Sequence, residues 1–94
     1  MKYVKKPVVI EAFQWDGGIT PNPDWVNGAK DSGKISFFRV GDKLWGHIFT
    51  ISGNARFDIG DYIVNAGNGD IYPVKETIFE DTYSEYIPKK VKNK

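Results

Sequence analysis

The 94-residue chain contains no cysteine, one histidine and one methionine. Without thiols there is neither a disulfide framework nor a thiolate metal site, and with His47 as the only imidazole any metal centre falls to carboxylates; we expect no metal and no cofactor. A catalytic triad would have to be built around that same histidine, so the expectation is a non-enzymatic protein, with a small hydrolase the least favoured alternative. Long apolar runs are missing too. None approaches the roughly 20 residues of a membrane-spanning helix, and Met1 to Lys6 leads into Pro7 rather than into a signal-like apolar stretch, so we expect a cytoplasmic protein with no membrane partner.

A basic stripe is also lacking. The net charge is +1, but residues 1–6 and 89–94 hold seven lysines and no acid, leaving six basic against twelve acidic side chains between them. An acidic body with basic ends is a poor match for a polyanion, so sequence-specific nucleic-acid binding is not expected. The lysine-rich segment from about Lys89 reads as a solvated, disordered tail. Gly67-Asn68-Gly69 has neither the lysine nor the helix that follow a phosphate loop, and reads as a hairpin loop. Asp58 and Asp61, three apart beside a turn, would suit a divalent ion or, more commonly, turn hydrogen bonds.

What the chain does have is aromatic: six Phe, five Tyr and three Trp. Each such ring buries about 150 to 250 Å², which matters in a chain this short, where folding hides only about 60 to 65% of the unfolded surface. We assign one domain over residues 1–94, since no repeat, linker or low-complexity stretch divides it.

Val8 to Trp15, entered through Pro7, predicts a first strand. Asn22-Pro23-Asp24 predicts a helix start, with Asn22 as cap, and the helix runs to Ser32 with Gly33 as its stop; Trp25 and Ala29 are expected to face the sheet. Two apolar runs, Lys34 to Val40 and Lys43 to Ile51, flank the two-residue turn Gly41-Asp42 and predict a hairpin in which opposed positions sum to 83. That register places Phe38, Lys43, Trp45 and His47 on one face, and Ile35, Phe37, Leu44, Gly46 and Ile48 on the other, with Gly46 making room for Phe37. Arg56 to Ile59, Tyr62 to Val64 and Ile71 to Pro73 predict further short strands, Thr77 to Tyr83 a second helix, and Ser84 to Ile87 a closing extended segment. The expected fold is α+β: a small, twisted, mainly antiparallel sheet, open or curled into a barrel, with two short helices.

Lys5-Lys6-Pro7-Val8-Val9-Ile10-Glu11-Ala12-Phe13-Gln14-Trp15 resembles the opening of a group of small phage and prophage proteins, mostly from Gram-positive hosts. Gly60-Asp61-Tyr62-Ile63-Val64, Gly69-Asp70-Ile71-Tyr72-Pro73 and Ile78-Phe79-Glu80-Asp81-Thr82-Tyr83 resemble that group's closing half in order and spacing. The chain departs from the group's pattern at Ile59, Val74 and Glu76-Thr77, where proline, cysteine and Pro-Asp are usual. The resemblance implies a phage accessory protein at work in a bacterial cytoplasm, and a fold rather than an activity.

Both faces of the hairpin carry rings, so something must cover the second one. A barrel or a helix on each side would do so from within; a second subunit or a ligand would do so from outside. We expect a homo-oligomer. The functional expectation is a counter-defence protein that binds and sequesters a small anionic, nucleotide-like ligand, with Phe38 and Trp45 stacking a planar group and Arg39, Lys43, His47 and Arg56 meeting its negative charge. The alternative is an inhibitor docking on a host protein through Glu76, Glu80, Asp81 and Glu85.

Overall fold

A computed structural model describes residues 1–3, 9–67 and 69–84. Along the chain lie β1 (Glu11–Gln14), α1 (Asp24–Asp31), β2 (Ile35–Val40), β3 (Lys43–Thr50), β4 (Gly53–Asp58), β5 (Tyr62–Asn65), β6 (Ile71–Val74) and α2 (Glu76–Thr82). The α+β class expected from the sequence is correct. The strands form two three-stranded antiparallel sheets, β1-β5-β6 and β2-β3-β4, not one sheet and not a closed barrel. Val8, the closing segment beyond Ser84 and the basic tail from about Lys89 lie outside the described residues.

The β2–β3 hairpin has the register that its turn dictates. Val40 opposes Lys43, Phe38 opposes Trp45 and Ser36 opposes His47. Gly41 takes φ +59°, the left-handed backbone that a two-residue hairpin turn requires and that glycine adopts without steric penalty. A second hairpin follows, with β4 starting at Gly53 rather than at Arg56 and Trp45 opposing Asp58, His47 opposing Arg56 and Gly46 opposing Phe57.

The core lies between the sheets and is made of Trp15, Val26, Ala29, Ile35, Ile48, Phe57, Ile63 and Ile71. Rings give it its shape: Trp15 meets Phe57 edge-on at 5.0 Å, and Phe37 lies 5.6 Å from Trp15 and 5.9 Å from Phe57. Contacts of this kind contribute about 0.5 to 1.5 kcal/mol each beyond burial. Gly46 makes room for Phe57, not for Phe37 as the sequence suggested: a Cβ there would meet the Phe57 ring at 2.6 Å and closer. The ring enters from β4, the strand whose start the sequence placed three residues too late, at Arg56.

Helix α1 starts one residue later than predicted. Pro23, in extended conformation, is its N-cap, and the Pro23 carbonyl accepts from the N–H groups of Val26 and Asn27 at 3.0 and 3.1 Å. Asn22 therefore does not cap, because a proline at the cap position leaves its side chain one residue too far out. Ala29 is buried and Trp25 packs partly buried against the core, as expected, and Val26, which the sequence reading did not single out, is buried with them. The stop at Gly33 is as expected: φ is +87°, and Lys34 N–H bonds back to the Ala29 carbonyl at 2.8 Å.

The sheets are joined at Gly60. Its N–H donates to the Trp15 carbonyl at 2.8 Å, its carbonyl accepts from Gln14 Nε2 at 3.0 Å, and its φ is +99°. Helix α2 buries no residue, and its Ile78 is 57% exposed. Phe79 instead lies between Tyr62 and Tyr83, with ring centroids 3.9 and 4.7 Å away. Among the described residues no helix is long and apolar enough to cross a membrane.

Candidate functional site

Strict alternation along β2, β3 and β4 gives their sheet an inner and an outer face. The inner face carries Ile35, Ile48 and Phe57, all buried. The outer face carries Phe38, Lys43, Trp45, His47, Phe49, Arg56 and Asp58, and none of these is buried. The buried residues of α1, Val26 and Ala29, pack with the inner face, so Trp45 is not roofed by that helix.

At the centre of the outer face stands Trp45, half-buried on the middle strand. From β2, Phe38 stacks on it at 5.6 Å with the planes 24° apart; from β4, the Arg56 guanidinium carbon lies 5.2 Å from its ring centroid. His47 meets Phe38 edge-on at 5.2 Å. Five of the six residues predicted for the site are thus gathered on one surface: Phe38, Lys43, Trp45, His47 and Arg56. Arg39 is the exception. It opposes Leu44 and alternates with Phe38, which puts it on the other side of the sheet. There it borders an open cleft of about 240 Å³ with Trp15, Asn22, Phe37 and Leu44, and Asn22 Oδ1 is buried without a hydrogen-bond partner among the described residues.

Asp58 completes the surface. One carboxylate oxygen, Oδ1, accepts from Arg56 Nη2 at 2.9 Å and from Arg56 Nε at 3.1 Å; the other, Oδ2, lies 3.4 Å from Lys75 Nζ. Those charges hold the Asp58 carboxyl below its ordinary value, with the Arg56 hydrogen bond the largest cause and partial burial opposing it. Lys75 Nζ also donates to Asp61 Oδ2 at 3.0 Å, and this contact is the main reason the Lys75 ammonium is held above its ordinary value. Asp61 is 6% exposed and also accepts from the Asp58 N–H at 2.9 Å. The two aspartates thus make turn hydrogen bonds and ion pairs, and among the described residues no group of three or more His, Cys, Asp or Glu side chains is placed to hold a metal ion.

Asp58 is the member of this surface that sequence reasoning missed. The signal was present: the turn at Ile51-Ser52 makes opposed positions of β3 and β4 sum to 103, which places residue 58 beside Trp45. Of the acidic residues expected to dock on a protein, Glu76 and Asp81 are exposed on α2, Glu80 accepts from the Tyr62 hydroxyl at 3.3 Å, and Glu85 lies outside the described residues. No family model, no curated protein and no solved structure matches the chain.

Proposed function

We propose that the outer face of β2-β3-β4 binds a small, planar, anionic ligand of nucleotide type. The observation that carries this reading is the stacked pair of exposed Phe38 and half-buried Trp45 on the outer face of a three-stranded sheet beside Lys43 and Arg56. Stacking of a base on such a ring contributes about 1 to 3 kcal/mol, and a lysine alongside adds attraction that salt weakens. An acidic body favours a small ligand over a long polyanion, because each further phosphate would meet repulsion rather than a basic track. The phage-group resemblance implies an accessory protein in a bacterial cytoplasm and no activity; a sequestering, counter-defence role without catalysis is the reading that fits both that setting and this surface.

Binding is tested by titrating Trp fluorescence and by calorimetry with nucleoside monophosphates. Trp45→Ala should weaken binding about ten-fold or more with the fold intact, in line with the stacking contribution. Lys43→Ala should flatten the dependence of affinity on salt. If the native protein binds no nucleotide at millimolar concentration, the reading is wrong.

A further inference from the structure

The Trp45 ring is already in contact with a planar N–H donor. The Arg56 guanidinium lies 5.2 Å from its centroid and directs two nitrogens, at 2.9 and 3.1 Å, onto one oxygen of Asp58, Oδ1. Asp58 is directly across the ladder from Trp45, so a flat group on that indole has its edge beside a negative charge. That carboxylate is 42% exposed and within reach of an incoming ligand. The guanidinium is a stand-in with a definite shape: a planar N–C–N unit whose adjacent N–H groups point the same way.

One nucleobase carries that unit along its edge. Guanine presents N1–H and the 2-amino group side by side, a donor pair like the Nε–H and Nη2–H that converge on Asp58 Oδ1, and one wide enough to meet both carboxylate oxygens. Adenine offers an amino group flanked by ring acceptors, and uracil an N–H flanked by carbonyls; each sets lone pairs against the Asp58 oxygens. We infer that Asp58 selects a guanine-type donor edge on this platform, the base taking the place of the Arg56 guanidinium on Trp45. This rests on the planar-anion reading and narrows it to guanine nucleotides. The displaced Arg56 is then available to the ligand phosphate, as is Lys43, two residues along β3 from Trp45 and about 7 Å away at the usual strand rise.

The test compares GMP, IMP, AMP and UMP on the native protein, on Asp58→Asn and on Arg56→Ala. Native protein should bind GMP about ten-fold more tightly than AMP or UMP, with IMP, which keeps N1–H but lacks the amino group, in between. Asp58→Asn should bring GMP to within about two-fold of AMP. Because Asp58 also meets Lys75, a melting curve checks that this variant is folded, and Arg56→Ala gives an independent arm. With the internal competitor gone, uncharged guanosine should bind Arg56→Ala several-fold more tightly than it binds native protein; unchanged or weaker binding would overturn the displacement. Equal binding of all four nucleotides, lost in Trp45→Ala, would overturn the guanine preference and leave the planar-anion site standing. Binding of none would overturn both.

Discussion

The two faces of the β2-β3-β4 sheet come from the same residues in alternation, yet they are held by different physics. On the inner face Phe57 and Ile48 have no exposed surface, and Gly46 is small because the Phe57 ring fills the space above it. On the outer face Phe38 is 40% exposed, Phe49 63% and Val40 67%, and the order that exists comes from ring stacking and from charges at the surface. The inner face has no slack for a change of one methyl group, whereas the outer face has side chains that can be displaced without opening the core. A binding surface needs the second property and stands on the first.

The sharpest way to break this contrast is to treat both faces alike. Phe57→Ala should cost about 3 to 5 kcal/mol, a large part of the whole stability of a domain this small, and chemical denaturation should show it as a midpoint shift at unchanged slope. Trp45→Ala on the outer face should move that midpoint much less. Equal losses would mean that the outer rings are as structural as the inner ones.

Next in size is the join between the sheets. Gly60 combines φ +99° with a backbone hydrogen bond to the Trp15 carbonyl, a second from the Gln14 side chain, and Glu76 Oε1 only 3.1 Å from where a Cβ would sit. Gly60→Val should cost about 1 to 3 kcal/mol. An unchanged melting temperature would mean that the turn accommodates a side chain and that the two sheets are not held in register there.

Self-association comes third. Phe38, Val40 and Phe49 make the outer face a candidate contact between copies as well as a platform. Light scattering at micromolar concentration should give more than the 10.6 kDa of one chain, and Trp45→Glu should lower the mass. A single-chain mass at high concentration would leave the face to ligands alone.

The smallest effect is in acid. Because Asp58 is held below its ordinary value of 3.8 when folded, its contribution is present above that value and is lost as pH falls through the lowered folded value. Both partners are about half exposed, so the loss should be about 1 kcal/mol or less, and Asp58→Asn should reduce the acid sensitivity of the melting temperature. Lys75 works in the opposite sense: it is raised above 10.5, so its share is present below that value and lost as pH rises through the higher folded value.

Local rules were enough for some of this architecture. Gly41-Asp42 set the hairpin register, and with it the grouping of Phe38, Lys43, Trp45 and His47, because a two-residue turn leaves one pairing that keeps both apolar faces together. Alternation alone would also have removed Arg39 from the group. The division into two sheets was not legible, since β1 pairs with β5 across a separation that no periodicity encodes. The Arg56–Asp58 contact was harder to read, because it depends on where β4 begins and the Ile51-Ser52 turn before it lacks the glycine that made the Gly41-Asp42 hairpin plain.

The ring ladder that holds α2 has a kinetic consequence. A helix of seven residues that buries no side chain and leans on Tyr62 through Phe79 has little to lose by detaching. Glu76–Thr82 should therefore behave as its own opening unit, its amides exchanging with solvent at free energies well below those of Ile48 and Phe57, which should report global unfolding. Phe79→Leu should speed exchange across that helix and leave the β3 amides unchanged.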